Sequence, residues 1–406
     1  MMRPFASTIS LAEARRRLDA AGRPIARTER VRLEDAVGRV AAADVTSPID
    51  VPPFARSAMD GYAVVSADTD GATRSIPARL RLLDRIYTGE MSAVTIAHGT
   101  CAEIATGAPL PAGADAVVMV EETARSAEGN EIEIFTTAAA GQHIGQRGAD
   151  IAAGDRVIAA GDLLSPSRIG AIAAIGRGDA ELFAKPRVAI LSTGNEVIEP
   201  GGPLAPGQIY DVNRFTLGAI VAAHGGVAEP RHAAQDTVAA LIDALDACAS
   251  ADLIVFSGGS SVGERDLVVD AIAARGEMIF HGIAVRPGKP TAFATIGSQR
   301  TPFFGMPGNP TSCLSNAYIL LVPFLRALAR LPAHAPRTVG APLGRRIASA
   351  VNRHQFYTVR LRDGVAFPAF KGSGDITSLS QADGYIEIPA DQSVVEEGMS
   401  VTVTLF

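Results

Sequence analysis

Cysteine is scarce in this chain, and the three present, Cys101, Cys248 and Cys313, lie far apart with no CxxC pairing. That argues against a disulfide framework or a zinc site and points to a reducing compartment, the cytoplasm. Cys313 follows a PGNP loop, and a buried helix position explains it more simply than a reactive thiol. Basic charge is not in excess either: 37 Lys and Arg against 43 Asp and Glu give a formal net charge of −6. The basic residues are scattered except for Arg15, Arg16 and Arg17, which a solvated helix face explains, so no nucleic-acid partner is expected. No apolar core of signal-peptide length opens the chain. The longest apolar run, Tyr318–Leu325, carries Pro323 and falls short of the ~20 residues needed to cross a bilayer, so no membrane partner is expected. P-loop, HExxH, EF-hand and GxGxxG patterns are missing; Gly288-Lys289 lacks the upstream glycine spacing and is followed by Pro290.

What the chain does have is length and apolar content. Its 406 residues, 47% hydrophobic and 20% charged, suffice for about two to four domains. The opening segment reads as a helix over 8–20, capped by Thr8 or Ser10. Ser47–Ala63 holds three prolines and no helical period, so it marks a crossing between bodies. Short β-like runs follow to about Thr137, and Gly141–Gly161 forms a second turn-rich crossing before a helix starting at Ser165-Pro166. That helix is expected to pack back on the opening segment, making one domain interrupted by the β-rich insert. From Arg187, strands alternate with helices, which means βαβ units and a parallel, doubly wound sheet. After a Pro-rich linker the last stretch shows β-like runs only. The domains predicted are therefore 1–50 with 141–184 (linker and helical), 51–140 (β-rich insert), 185–331 (doubly wound) and 332–406 (C-terminal β). The fold class is α/β plus β.

The chemistry concentrates between Asp252 and Thr311. DLIVFSGGSSVGERD, AVRPGKP and FFGMPGNPT each couple an apolar strand to a Gly- or Pro-rich loop, and in a doubly wound sheet ligands sit beyond such strand ends. Gly258, Gly259 and Gly263 let the backbone approach a ligand, and successive N–H groups before a helix form an anion cradle. Glu264 and Asp266 in the same loop are acceptor-only groups suited to a hard cation such as Mg2+. Gly259–Gly263 also fits the G-x-S-x-G nucleophile elbow. The intervening Ser-Gly-Gly after the strand, and the lack of an HGGG-type motif, argue against a serine hydrolase. Plain structural roles compete throughout. Asp236, Asp266 and Asn309 stand where helices begin and could simply cap them, with Pro310 at the first helical position; Asp60-Gly61 is a common turn dipeptide. Glu196 lies in a loop, and Arg286 and Lys289 could be surface charges. Convergence of several strand ends on one crevice raises all of them above that background.

SAMDGYAV at 57–64, TGAPLPAGADAVVMVEE at 106–122, RGADIAAGD at 147–155 and LSTGNEV at 191–197 continue in order with further motifs. These are GQIYDVNR at 207–214, SGGSSVGERD at 257–266, RPGKP at 286–290, GMPGNPTS at 305–312 and GSGDITSLSQADG at 372–384. In these the chain resembles the molybdopterin molybdenumtransferase family, the bacterial relatives of the gephyrin E domain. The resemblance implies an elongated multidomain homodimer whose site joins the doubly wound domain of one subunit to the β-rich domain of the other. It implies Mg2+-dependent insertion of molybdate into adenylylated molybdopterin with release of AMP, and the molybdopterin adenylyltransferase as a further partner. Matched by position, Asp60 and Thr106 are the β-rich domain's contribution, and Glu196, Asp236 and Asp266 surround metal and substrate. Arg286 and Lys289 face phosphate or molybdate; Ser257, Gly258, Gly259, Ser261, Gly263, Pro307, Gly308, Asn309 and Ser373 bind substrate. The chain departs from the common family pattern at Gly282 and Thr358, where many relatives carry Lys and Arg; His281 and Arg360 are neighbouring basic residues able to compensate. The alternatives are the sibling adenylyltransferase, which would not require the β-rich insert, and a non-enzymatic scaffold.

Overall fold

The computed structural model describes residues 8–127, 129–231, 237–258 and 267–406. They fall into two compact units: one comprises the chain up to Glu29 with Gly38–Val40 and Phe183–Phe406, the other Arg30–Val37 and Ala41–Leu182.

In the first unit the apolar runs become a six-stranded sheet ordered Val227–Pro230, Arg187–Ser192, Leu253–Ser257, Thr301–Met306, Ala292–Ile296 and Gly276–His281. The first four strands run parallel, and the last two pair antiparallel. A wholly parallel sheet was expected; the difference lies in one short connection. Only residues 297–300 separate Ile296 from Thr301, with Gly297 and Arg300 both at positive φ. A parallel pair would need a crossover of about a dozen residues. Leu253–Ser257 is buried along its whole length, as a central strand covered on both faces must be. Strand alternation sends Phe256 and Phe303 into one core with Leu241, Leu245 and Ile272. Phe293 and Phe304 point into the opposite core with Leu217 and Phe324.

The helices on these faces follow from their apolar stripes and caps. Val238–Asp246 is capped by Thr237, whose hydroxyl accepts the Ala240 amide; Asp236, the predicted cap, lies outside the described residues. Helix Leu11–Ala21, capped by Ser10, buries Leu11, Ala14 and Leu18 in the core with Phe293 and Phe304. Helix Pro166–Ala174 packs with the opening segment as expected: its Ile172 shares a core with Val31, Ala36, Ala41 and Val45. Pro310–Leu328 is a 19-residue helical run with a π segment at Ala317–Leu321. By length and composition it could cross a bilayer, longer than the run read from sequence, but it is 72% buried within the protein. Cys313 sits inside it, fully buried, with its thiol pushed up to about 12 by that burial.

The same unit carries a second sheet, ordered Val285–Arg286, His354–Arg362, Gly384–Ile388, Ser400–Leu405 and Thr338–Pro342, with Val365–Pro368 also paired to His354–Arg362. Its first strand is lent by the RPGKP segment, so the C-terminal β domain is hydrogen-bonded to the loop that carries Arg286.

The second unit contains a six-stranded sheet ordered Ala116–Met119, Gly61–Val64, Thr100–Ile104, Ala78–Ile86, Glu131–Ile134 and Thr123–Arg125. Gly61 opens a central strand here rather than a turn: a Cβ at this position would lie 2.0 Å from the Val118 carbonyl oxygen. A separate core in this unit gathers Val31, Leu164, Ile172 and Leu182.

Candidate functional site

The strand ends of the doubly wound sheet open onto a cleft of about 1240 Å³. Parallel strands Arg187–Ser192, Leu253–Ser257 and Thr301–Met306 all point their carboxyl ends at it, where each chain must turn away and expose backbone. After the first, Gly194 adopts φ +133, and a Cβ there would lie 2.8 Å from Glu196 Oε2, so glycine lets the carboxylate fold close. After the second, Gly258 adopts φ +111, with a Cβ 2.6 Å from the Thr193 carbonyl oxygen. The third leads through Pro307, Gly308 and Asn309 into the long helix.

Asn213 ties these ends together. Its buried side-chain amide donates to Ser257 Oγ at 2.7 Å and to the Gly308 carbonyl at 2.8 Å. Asp211, also buried, accepts the Arg214 amide at 3.0 Å and so fixes the start of the helix bearing Asn213. Below the RPGKP loop, buried Asn316 donates to the Gly288 carbonyl at 2.9 Å. Gly288 has φ +102, and a Cβ would meet Asn316 Nδ2 at 2.2 Å; the loop carrying Arg286 and Lys289 is seated on the helix by that contact.

The C-terminal domain completes the wall. Asn309 stands at the N-cap position but makes no capping bond; its Nδ2 donates to Ser373 Oγ at 3.1 Å. The Thr311 amide, a free donor at most helix starts, donates to the Ser373 carbonyl at 3.0 Å, and Thr311 Oγ1 donates to the Asp375 carbonyl at 2.8 Å.

Nine predicted positions thus line one cleft: Glu196, Ser257, Gly258, Arg286, Lys289, Pro307, Gly308, Asn309 and Ser373. Asp236, Asp266, Gly259, Ser261 and Gly263 lie outside the described residues. Asp60 and Thr106 belong to the second unit, where the Thr106 amide donates to Asp60 Oδ1 at 2.7 Å. Hydrogen bonds from the Thr106 backbone and side chain hold the Asp60 carboxyl below the ordinary aspartate range. Ser192, Thr193, Asp211, Asn213, Arg353 and Lys371 also line the cleft and were not selected from sequence. For Asp211 and Asn213 a signal existed, since both fall within GQIYDVNR. At the two departures, Gly282 has φ +95, a conformation that disfavours lysine, and Thr358 is buried. Arg360 does not reach out to compensate: its guanidinium donates to the Gln381 carbonyl at 2.6 Å.

The donor chemistry suits a hard cation in kind. Glu196 and Asp211 bring carboxylates to a cleft that also presents hydroxyls, amides and carbonyls, the ligand class of Mg2+, beside the cations Arg286, Lys289, Arg353 and Lys371. Among the described residues no three metal-ligating side chains cluster, and the other two predicted carboxylates, Asp236 and Asp266, lie outside them.

Family models match the chain in three consecutive blocks: the MoeA N-terminal region (domains I and II) over 9–176, a probable molybdopterin binding domain over 189–327, and the MoeA C-terminal region (domain IV) over 340–406. Molybdopterin molybdenumtransferase 2 of Mycobacterium tuberculosis is 36% identical, with 92% of this chain and 94% of that protein aligned. Molybdopterin molybdenumtransferase of Nostoc sp. is 33% identical over 93% and 88%. The crystal structure of a molybdopterin biosynthesis MoeA protein from Pyrococcus horikoshii superposes with a TM-score of 0.84 at 38% identity, covering 98% of this chain and 99% of that one.

Proposed function

The chain belongs to the molybdopterin molybdenumtransferase family, and from that premise we propose the reaction it performs: Mg2+-dependent insertion of molybdate into adenylylated molybdopterin, with release of AMP. It is a transferase of molybdenum cofactor biosynthesis. What supports the finer reading is the convergence of Glu196, the Ser257-Gly258 turn, Arg286, Lys289, Asn309 and Ser373 on one cleft.

The substrates are an oxyanion and a pyrophosphate, so like charges must be brought together. Arg286 and Lys289 offset that charge, and the open backbone at Gly258 and Gly308 gives the phosphates close access to main-chain donors. Mg2+, held by Glu196 with Asp236 and Asp266, would neutralise charge and polarise a phosphoryl oxygen. Asn213 and Ser373 keep the loops in register with one another. No covalent nucleophile is required, consistent with Cys313 being buried as an un-ionised thiol.

The proposal includes a homodimer, in which Asp60 and Thr106 of one subunit serve the cleft of the other, and a cytoplasmic location. It also includes the molybdopterin adenylyltransferase as the partner that supplies the adenylylated substrate. The test is AMP release from the purified protein given adenylylated molybdopterin, molybdate and Mg2+, beside Asp266→Ala. Molybdate-dependent release that the variant loses supports the reaction. Retention of AMP, with ATP and molybdopterin converted to the adenylylated product instead, would replace it with the sibling adenylyltransferase.

A further inference from the structure

We propose that Arg353, from the C-terminal β domain, is an oxyanion-binding residue of the cleft, acting together with Arg286; this rests on the transferase reading above. Arg353 lines the cleft, its side chain is exposed, and it has no hydrogen-bond, ion-pair or ring partner among the described residues. Its backbone, by contrast, is fixed on both sides. Asn352 adopts φ +62, a left-handed conformation that asparagine tolerates well, and its amide donates to the Ala390 carbonyl at 2.9 Å. On the other side the His354 amide donates to the Ala284 carbonyl at 2.9 Å, and His354 Nε2 lies 2.9 Å from Glu387 Oε2.

The register of the shared sheet then decides what Arg353 meets. Val285 pairs with His354 and Arg286 with Gln355, so Arg353, the residue just before the first rung, and Arg286 on the second are brought from different domains to one cleft. Among the described residues Arg286 likewise has no side-chain hydrogen bond or ion pair. Besides Lys289, Lys371 also lines the same cleft, with its Nζ on the neutral hydroxyl of Thr377 at 3.1 Å. Other arginines of this protein are paired with carboxylates, Arg27 with Asp252 at 2.6 Å and Arg275 with Asp246 at 2.9 Å. Two guanidinium groups that line one concave surface with no carboxylate partner among the described residues leave their charge available to an anion. The planar fork of arginine matches two oxygens of a tetrahedral oxyanion. The ligand chemistry is therefore a tetrahedral oxyanion, either molybdate or a phosphate of the pterin nucleotide.

The experiment measures binding of molybdate alone and of pyrophosphate alone by calorimetry, and the KM of each substrate in turnover, for the wild type, Arg353→Ala, Arg353→Lys and Arg345→Ala. Arg345 is an exposed arginine of the same domain outside the cleft and controls for loss of charge alone. Arg353→Ala is expected to weaken one ligand about tenfold or more, with partial recovery in Arg353→Lys and no change in Arg345→Ala. A loss confined to molybdate assigns the site to the metal oxyanion, and a loss confined to pyrophosphate assigns it to the nucleotide. Unchanged binding and KM for both ligands, or an equal loss in Arg345→Ala, overturns the proposal. If the wild type binds oxyanions through Arg353 but releases no AMP, the transferase reaction fails and the anion site stands.

Discussion

Asn309 Nδ2 donates to Ser373 Oγ at 3.1 Å, so the PGNP loop of the α/β domain is held by a serine of the C-terminal β domain. The side chain that sequence reasoning would spend on capping its own helix is spent on closing the cleft. Asn309→Ala and Ser373→Ala should each lower kcat/KM, and the double variant should lose less than the sum. A coupling of about 0.5–1.5 kcal/mol is expected for one such hydrogen bond. Strictly additive losses in the double-mutant cycle would show that the contact does not matter in solution.

Asn213 is the buried tie between Ser257 and Gly308. Asn213→Ala removes both donors and leaves two acceptors unsatisfied, which costs about 1–3 kcal/mol. Urea denaturation should show that loss, and substrate KM should rise with it. A variant as stable as the wild type would mean that water replaces the amide without penalty.

Gly288→Ala places a methyl 2.2 Å from Asn316 Nδ2 at a residue with φ +102. The backbone strain alone is worth roughly 1–3 kcal/mol. Because the loop carries Arg286 and Lys289, activity should fall further than stability does. Thermal melting and oxyanion affinity measured together check both parts.

His224 stacks edge-on against His334 at 5.1 Å, and its imidazole is pulled down to about 4, first by burial and then by His334 and Arg326. Its folded value thus lies below the ordinary 6.5 that an unfolded chain would show. Unfolding takes up a proton between these values, so this contribution to stability is intact above about pH 6.5 and declines as pH falls toward 4. A melting-temperature profile from pH 7.5 to 4.5 should be flatter in His224→Gln than in the wild type. Parallel profiles would remove His224 from the acid response.

Thr106 holds the Asp60 carboxyl low through both its amide and its hydroxyl. Thr106→Val keeps the amide and discards the hydroxyl, so the Asp60 pKa should rise part of the way to its ordinary value. Carbon-detected NMR titration of Asp60 reads this directly, and an unmoved value would assign the whole effect to the backbone.

Much of the site was legible because its signals are local. Apolar strands running into Gly and Pro identify strand ends, and Glu196, Ser257, Arg286, Pro307 and Asn309 all come to one cleft for that reason. Arg353 and Lys371 carried no such signal: they stand in a β domain far along the chain, and it is brought to the cleft by the pairing of Val285 with His354 and by the bonds of Asn309 and Thr311 to Ser373 and Asp375. Helix capping shows the same limit. Thr237 caps its helix by a local bond, whereas Asn309 turns to a serine 64 residues away.

By itself the sequence determined the succession of apolar strands and amphipathic helices, the glycines that the strand ends require, and the family to which their motifs belong. These depend on periodicity, on positive φ and on residues adjacent in the chain. Tertiary structure alone decided that residues 297–300 make the sheet mixed, that Asn213 and Asn309 bind distant loops, and that Arg286 and Arg353 share a cleft. Each of those depends on register and on which donor reaches which acceptor across the fold, quantities that are set only when separate segments pack.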